Sequence, residues 1–388
     1  MVHILLLIIY MAFISLGLPD GLLGAAWPAI QLEMGLSVSY LGMVSLIISV
    51  GTVIASLFAD PLCRRFTTAK VTAFSVAMTA AALFGFAFAD SIWLLCLWAI
   101  PYGLGAGAVD ACLNNYVAIH YAGKHMSWLH CMWGLGAASG PYIMGAVLAG
   151  GLHWSNGYLY IGVGQAVLVA VLILTLRIWK TTGQGSEEQG APLSLKQVIA
   201  LPDAKYVLVA FFCYCALEQT IGQWAASYFF GYLDTSAELS ATLAGIYYMG
   251  ITVGRAVNGF LTVRFSDKQL VRAGMAAIAA GIAVMFLPLG VYGAVAGIIL
   301  VGLGSAPIYP CIIHSTPALF GTEQSGAIIG IEMAAAYIGI CIMPPLFGVI
   351  ADWLGVGTLP WVLSGLLMIM YVSHEQLYMK RKKRNLFG

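Results

Sequence analysis

Charge is what this sequence has least of. Only 9% of its 388 residues are Asp, Glu, Lys or Arg, whereas 61% are hydrophobic. Soluble domains carry about 25% charged residues, so this chain has too little charge to cover a water-facing surface. An excess of either sign is also missing: 17 basic and 16 acidic side chains leave a net charge of +1. That balance argues against nucleic acid as a partner. The eight cysteines are scattered through apolar runs, with neither metal-ligand spacing nor a paired framework. Buried thiols of this kind behave as small hydrophobes. No Ser/His pair, His-Glu-x-x-His or metal cluster stands in the apolar runs, so an enzyme is not indicated and no metal or cofactor is expected. A basic leader before the first apolar run is absent too. That run continues past residue 25, so it reads as a first membrane span rather than a cleaved signal.

What the chain has is a repeat. Gly103-Leu104-Gly105 recurs about 199 residues later as Gly302-Leu303-Gly304. Arg65-Phe66 recurs as Arg264-Phe265, and Gly51 as Gly250. With a shift of one, Asp20 and Gly24 recur as Glu218 and Gly222. Two copies of one apolar unit, each with an acid in its first helix, point to a membrane transporter. Substrate sites in such proteins lie between the repeats near the bilayer midplane.

A bilayer core of about 30 Å requires about 20 apolar residues per helix. The sequence predicts twelve spans: 4–32, 37–60, 69–89, 91–120, 125–150, 156–179, 204–232, 240–263, 270–288, 291–318, 325–350 and 357–379. The expected fold is all-α, with six helices in each repeat. The domains are 1–179, a linker at 180–203, and 204–388 with a basic tail. Pro192 to Ile199 has the composition of a short interfacial helix.

Orientation follows from the distribution of basic residues. Sixteen of the 17 fall on one side: Arg64, Arg65, Lys70, Lys124, Arg177, Lys180, Lys196, Lys205, Arg264, Lys268, Arg272 and the run Lys380 to Arg384. Both termini are therefore expected to be cytoplasmic. The short loops fit a multi-pass protein of the bacterial cytoplasmic membrane, and the default oligomeric state is a monomer.

Charge at membrane depth is costly and marks function. The spans place Asp20, Asp110, Glu218, Arg255 and Glu332 there. Desolvation favours the neutral form of a carboxyl, which is the property proton coupling uses. Asp20, Asp110 and Glu218 are the proton-coupling candidates. Arg255 stays protonated and needs an anion; Glu332, at similar depth, is the partner predicted for a structural or gating pair.

The seventh span carries Glu218, Gln219, Gln223, Trp224 and Tyr228. Residues three and four apart share a helix face, so Gln219 and Gln223 form one polar stripe. Amides and carboxylates suit sugar hydroxyls, and an amphipathic Trp ring suits the apolar face of a pyranose. The fourth span adds Asn114 and Asn115 beside Asp110, and the fifth adds His130 and Trp133. Asn258, Tyr309 and His314 are weaker candidates. Trp93, Trp154 and Trp353 read as interfacial aromatics. The glycines of the Gly103–Gly107 and Gly302–Gly304 runs permit close approach of helix backbones, and Pro141, Pro307, Pro310, Pro317, Pro344 and Pro345 are kink positions.

The loop expected after the second span, Ala59-Asp60-Pro61-Leu62-Cys63-Arg64-Arg65-Phe66, resembles the Gly-x-x-x-Asp-Arg-x-Gly-Arg-Arg signature of the major facilitator superfamily. The Asp and the Arg pair are kept, while Pro61 stands for an Arg and Cys63 for a Gly. The resemblance implies a structural or gating role for Asp60, Arg64 and Arg65. Three stretches, Gly103 to Asn114, Glu218 to Tyr228 and Gly302 to Pro310, are similar to the fucose permease and glucose/mannose–proton symporter group. That likeness implies proton coupling and sugar recognition by acids in the first and fourth helices, onto which Asp20 and Asp110 fall. His130 falls where an amide is common in fucose permeases. The expected activity is proton-coupled uptake of a monosaccharide across a lipid bilayer. The alternatives are a proton-driven multidrug or small-molecule efflux antiporter of the same fold and a transport-derived sensor or lipid-binding membrane protein without turnover.

Overall fold

Backbone polar groups in lipid must be satisfied within the chain, which leaves helices as the economical solution for an open-ended apolar segment. The computed structural model describes residues 2–121, 123–179 and 203–387, and they are overwhelmingly helical. The linker at 180–203 and the helix expected at Pro192 to Ile199 lie outside the described residues, apart from Asp203. The helices are α1 (Val2–Asp20), α2 (Leu22–Met34), α3 (Tyr40–Phe66), α4 (Thr68–Ala87), α5 (Ile92–His120), α6 (Gly123–Ala149) and α7 (Ser155–Leu174). They continue as α8 (Ala204–Leu233), α9 (Ala237–Leu261), α10 (Asp267–Met285), α11 (Gly290–Ser305), α12 (Ile308–Phe320), α13 (Thr322–Leu354) and α14 (Leu359–Phe387).

Eleven stretches among the described residues are long and apolar enough to cross a bilayer. The chain is thus a multi-pass membrane protein. Two of the crossings are broken helices: α1 with α2 forms Ile4–Met34, and α11 with α12 forms Gly290–Phe320. The first breaks at Gly21, beside Pro19. The second breaks at Ala306 and Pro307, where proline withholds a backbone donor. Helix α9 is not among these eleven; it carries Glu238, Arg255 and Asn258 and supplies the twelfth helix of the sequence reading.

The Asp60–Arg65 run is not a loop. Helix α3 continues through it to Phe66 and turns at Thr67, whose φ is +75°. Pro345 likewise sits inside an unbroken α13.

The chain forms two compact units. The first comprises the described residues of Met1–Gly185 with Gly222–Met249 and Gly348–Val356. Here α1 packs on α6, α3 on α5, and α4 on α5 and α7. Glycines set these approaches. A Cβ at Gly105 would stand 2.6 Å from the Ser75 carbonyl oxygen, and one at Gly21 would stand 2.7 Å from that of Ala137. The ends of α8, α9 and α13 join this unit. Gly24 faces the Gln223 backbone, Gly145 faces Thr242, and Gly348 packs on Trp224 and Ser39. Asp352 accepts from the Ser37 hydroxyl at 2.5 Å and the Ser39 N–H at 3.2 Å. Phe13, Trp27, Tyr116 and Tyr158 are fully buried in it.

The second unit comprises the described residues of Ser186–Ile221 with Gly250–Phe347 and Gly357–Gly388. Helix α10 packs on α11, α12 and α14. The same glycine register appears: a Cβ at Gly304 would stand 2.5 Å from the Gly274 carbonyl oxygen. Gly274 follows Ser75 by the spacing that separates Gly304 from Gly105, so the sequence repeat is a repeat of backbone contacts.

Tyr292 and Trp353 are 88% and 84% exposed, as lipid-facing or interfacial aromatics should be. Trp154 departs from that expectation. It is buried and donates its indole N–H to Glu33 at 2.7 Å.

Candidate functional site

The polar residues of the first unit gather where α1, α5 and α6 meet. Asp20 ends α1 at the Gly21 break. Its two carboxylate oxygens have separate donors: the Trp133 indole N–H at 2.7 Å and the Tyr102 hydroxyl at 3.4 Å. Trp133 reaches Asp20 because α1 and α6 touch along their backbones. A Cβ at Gly17 would run into the Trp133 carbonyl, and one at Gly136 into that of Ile14.

Asp110 lies near enough to Asp20 to act on it electrostatically. It accepts from the Asn114 side-chain amide at 3.0 Å, one helical turn along α5. The same amide also reaches the Asp110 carbonyl oxygen, at 3.0 Å. The other end of that amide is left over: Asn114 Oδ1 is buried with no hydrogen-bond partner among the described residues. Among the described residues neither Asp20 nor Asp110 has an ion-paired cation. The arrangement therefore offers hydrogen-bond acceptors in excess of donors. His130 stands edge-on to Phe13, with ring centroids 6.1 Å apart. Asn115 is exposed and joins none of these contacts.

Three further residues named from the sequence are taken up by packing in this conformation. Gln223 Oε1 accepts from the Ser45 hydroxyl at 2.6 Å, and its amide reaches the Leu41 carbonyl at 3.4 Å. Trp224 is 0% exposed. Tyr228 is buried against Tyr232, with centroids 5.3 Å apart. None of the three presents surface to a ligand here.

In the second unit Glu218 meets Arg255 at 3.4 Å, both side chains 16% exposed. This corrects the expected pairing of Arg255 with Glu332. Helix depth fits both acids, but the azimuth around α9 brings Arg255 to α8. Tyr214 also bonds Arg255 and donates its hydroxyl to the Ser305 carbonyl at 2.9 Å. Glu332 instead meets Thr316 at 2.9 Å. Gln219 is half-buried on α8. Of the weaker candidates, Tyr309 contacts Met333 at 3.2 Å, His314 is exposed and bonds Asp267 at 2.7 Å, and Asn258 is buried. Arg64 and Arg65 are exposed near the end of α3. Asp60 is helical, and its side chain lies outside the described residues.

Tyr102, Ser45, Tyr214 and Thr316 were not singled out from the sequence. Tyr102 carried a signal: it precedes Asp110 by eight residues on α5, about two turns and hence the same face. The other three are single hydroxyls among many, with no local pattern.

Comparison with known proteins places the fold. A protein of Saccharomyces cerevisiae, Bypass of stop codon protein 6, is 23% identical over 417 residues, covering 95% of this chain and 81% of the yeast protein. A solved D-xylose-proton symporter superposes with a TM-score of 0.76 at 13% identity, covering 96% of each chain. A bacterial homolog of the human lysosomal transporter Spinster, solved inward-facing and unoccupied, gives 0.72 at 14% identity, covering 96% of this chain and 94% of the other. At these identities the solved structures show a shared fold. The family model described as Major Facilitator Superfamily matches residues 9–312 and 207–385. The family and fold are those of transporters, not enzymes, and this chain belongs to the Major Facilitator Superfamily.

Proposed function

We propose that this transporter carries a monosaccharide together with a proton by alternating access. The observation that carries the reading is the acceptor-rich cluster of Asp20, Asp110 and Asn114, held by Trp133 and Tyr102 inside the spans. A buried carboxyl without a cation is stable when protonated. Taking up a proton removes the cost of its charge, and losing one restores it. Asp20 and Asp110 are the proton carriers in this reading.

Substrate hydroxyls supply what the cluster lacks. Asn114 Oδ1 is a buried acceptor with no donor among the described residues, and a sugar O–H satisfies it. Trp133 contributes a ring for the apolar face of the sugar, and His130 is a further polar contact. In the second unit Glu218 and Gln219 are the proposed contacts, with Glu218 held by Arg255. A solved neighbour of the same fold is a D-xylose-proton symporter, which supports a sugar as cargo. The one-sided distribution of basic residues supports an orientation with both termini in the cytoplasm.

Uptake of labelled monosaccharides into proteoliposomes tests this, with and without an inward proton gradient. Accumulation of one or two sugars only under the gradient supports symport. No sugar uptake, together with proton movement on adding lipophilic cations, assigns the protein to efflux instead.

A further inference from the structure

Glu332 is 0% exposed on α13, and among the described residues it has no ion-paired cation. The nearby candidates for a partner are engaged elsewhere: Arg255 by Glu218, and His314 by Asp267. Its polar neighbour is Thr316 of α12. Thr316 Oγ1 lies 2.9 Å from Glu332 Oε1, 3.1 Å from Oε2 and 3.1 Å from the Ile312 carbonyl oxygen.

These four oxygens constrain where the hydrogens are. A threonine hydroxyl has one hydrogen to give. If Thr316 gives it to Glu332, the carboxyl is a buried anion with one shared donor and no compensating cation, which is strongly unfavourable. The Ile312 carbonyl then loses its contact as well. If Thr316 donates to Ile312 in the usual helical back-bond, its short approach to Glu332 requires a hydrogen from Glu332. A protonated Glu332 keeps both the Ile312 back-bond and the short contact to Thr316, and leaves no unpaired charge in the interior.

We infer that Glu332 is a proton-carrying site of the second unit, protonated while it is packed against Thr316 and ionised when the α12–α13 contact opens to water. The inference deepens the proton-coupled reading above and rests on it for the role of the released proton. On opening, the O–H bond breaks, the proton passes to water, and the carboxylate is hydrated. On closing, the reverse occurs. The expected Arg255 pairing would have prevented this, because a carboxylate beside a guanidinium stays ionised.

Infrared spectroscopy of the purified full-length protein, without substrate, tests the protonation state. The wild-type minus Glu332→Gln difference spectrum should contain one protonated-carboxyl carbonyl band. Thr316→Val should shift that band to higher frequency, because its hydrogen bond is removed. Loss of an ionised carboxylate band instead, or no shift in Thr316→Val, would overturn the proposal, and the second variant still decides if Glu332→Gln does not fold. No sugar enters this experiment, so its result is independent of the cargo. In proteoliposomes Glu332→Gln should keep sugar exchange and lose accumulation against a gradient. Undiminished accumulation would remove Glu332 from the coupling path.

Discussion

Trp133 and Asp20 are separated by 113 residues in sequence and 2.7 Å in space. The bond crosses from α6 to α1 beside glycines that let the two backbones touch. A residue proposed to carry the proton is thereby fixed by one proposed to contact the sugar, so the two functions share a hydrogen bond.

Replacing Trp133 by Phe keeps a ring and removes the donor. A hydrogen bond to a charged group contributes about 1.5–3 kcal/mol, or about 10- to 100-fold in rate. Proton-driven uptake should fall by that factor in initial-rate measurements. Trp128→Phe, at an exposed position (57%) on the same helix, is the control and should leave the rate unchanged.

The ion pair of Glu218 with Arg255 makes a prediction about stability. Removing one partner of a buried pair leaves an uncompensated charge and costs about 3–5 kcal/mol. Glu218→Gln and Arg255→Gln should each lower the unfolding temperature in detergent, and the double variant should recover part of the loss. Exchanging the two charges should rescue function. Exchanging those of Arg255 and Glu332 should not, and rescue there would restore the pairing expected from the sequence.

Gly105→Ala and Gly304→Ala should behave alike, because each places a methyl group about 2.5 Å from a backbone carbonyl of the neighbouring helix. Overpacking of this kind costs about 1–3 kcal/mol. Gly164→Ala meets open space and should be silent. Thermal unfolding of the three variants checks the parity of the repeats.

That parity was the part of the fold most legible in the sequence. Gly51 and Gly250 stand in equivalent contacts with Gly103 and Gly302, because a close backbone approach tolerates few residue types. The acids were legible for the same kind of reason: charge in lipid is rare enough to stand out. Partners were not legible. Arg255 had two acids at fitting depth, and spacing along a helix does not reveal which neighbour it faces. Gln223 read as a ligand contact, since an amide in a span serves sugar and protein equally well. The helical run through Asp60 to Arg65 was hidden by Pro61, which reads as a break yet sits inside α3.

Gln223 gives a test of packing against ligand binding. In this conformation it holds Ser45 and the Leu41 carbonyl. If it serves that contact, Ser45→Ala should reproduce the transport defect of Gln223→Ala, changing kcat more than KM. A raised KM in Gln223→Ala alone would return it to the sugar contacts.

The central claim is that sugar and proton move together through the Asp20–Asp110 cluster. It is tested most directly with a pH dye inside proteoliposomes, adding a panel of monosaccharides to wild type and to Asp110→Asn. The account predicts acidification with one or two sugars and none in the variant. No acidification with any sugar, or acidification that survives in Asp110→Asn, would contradict it.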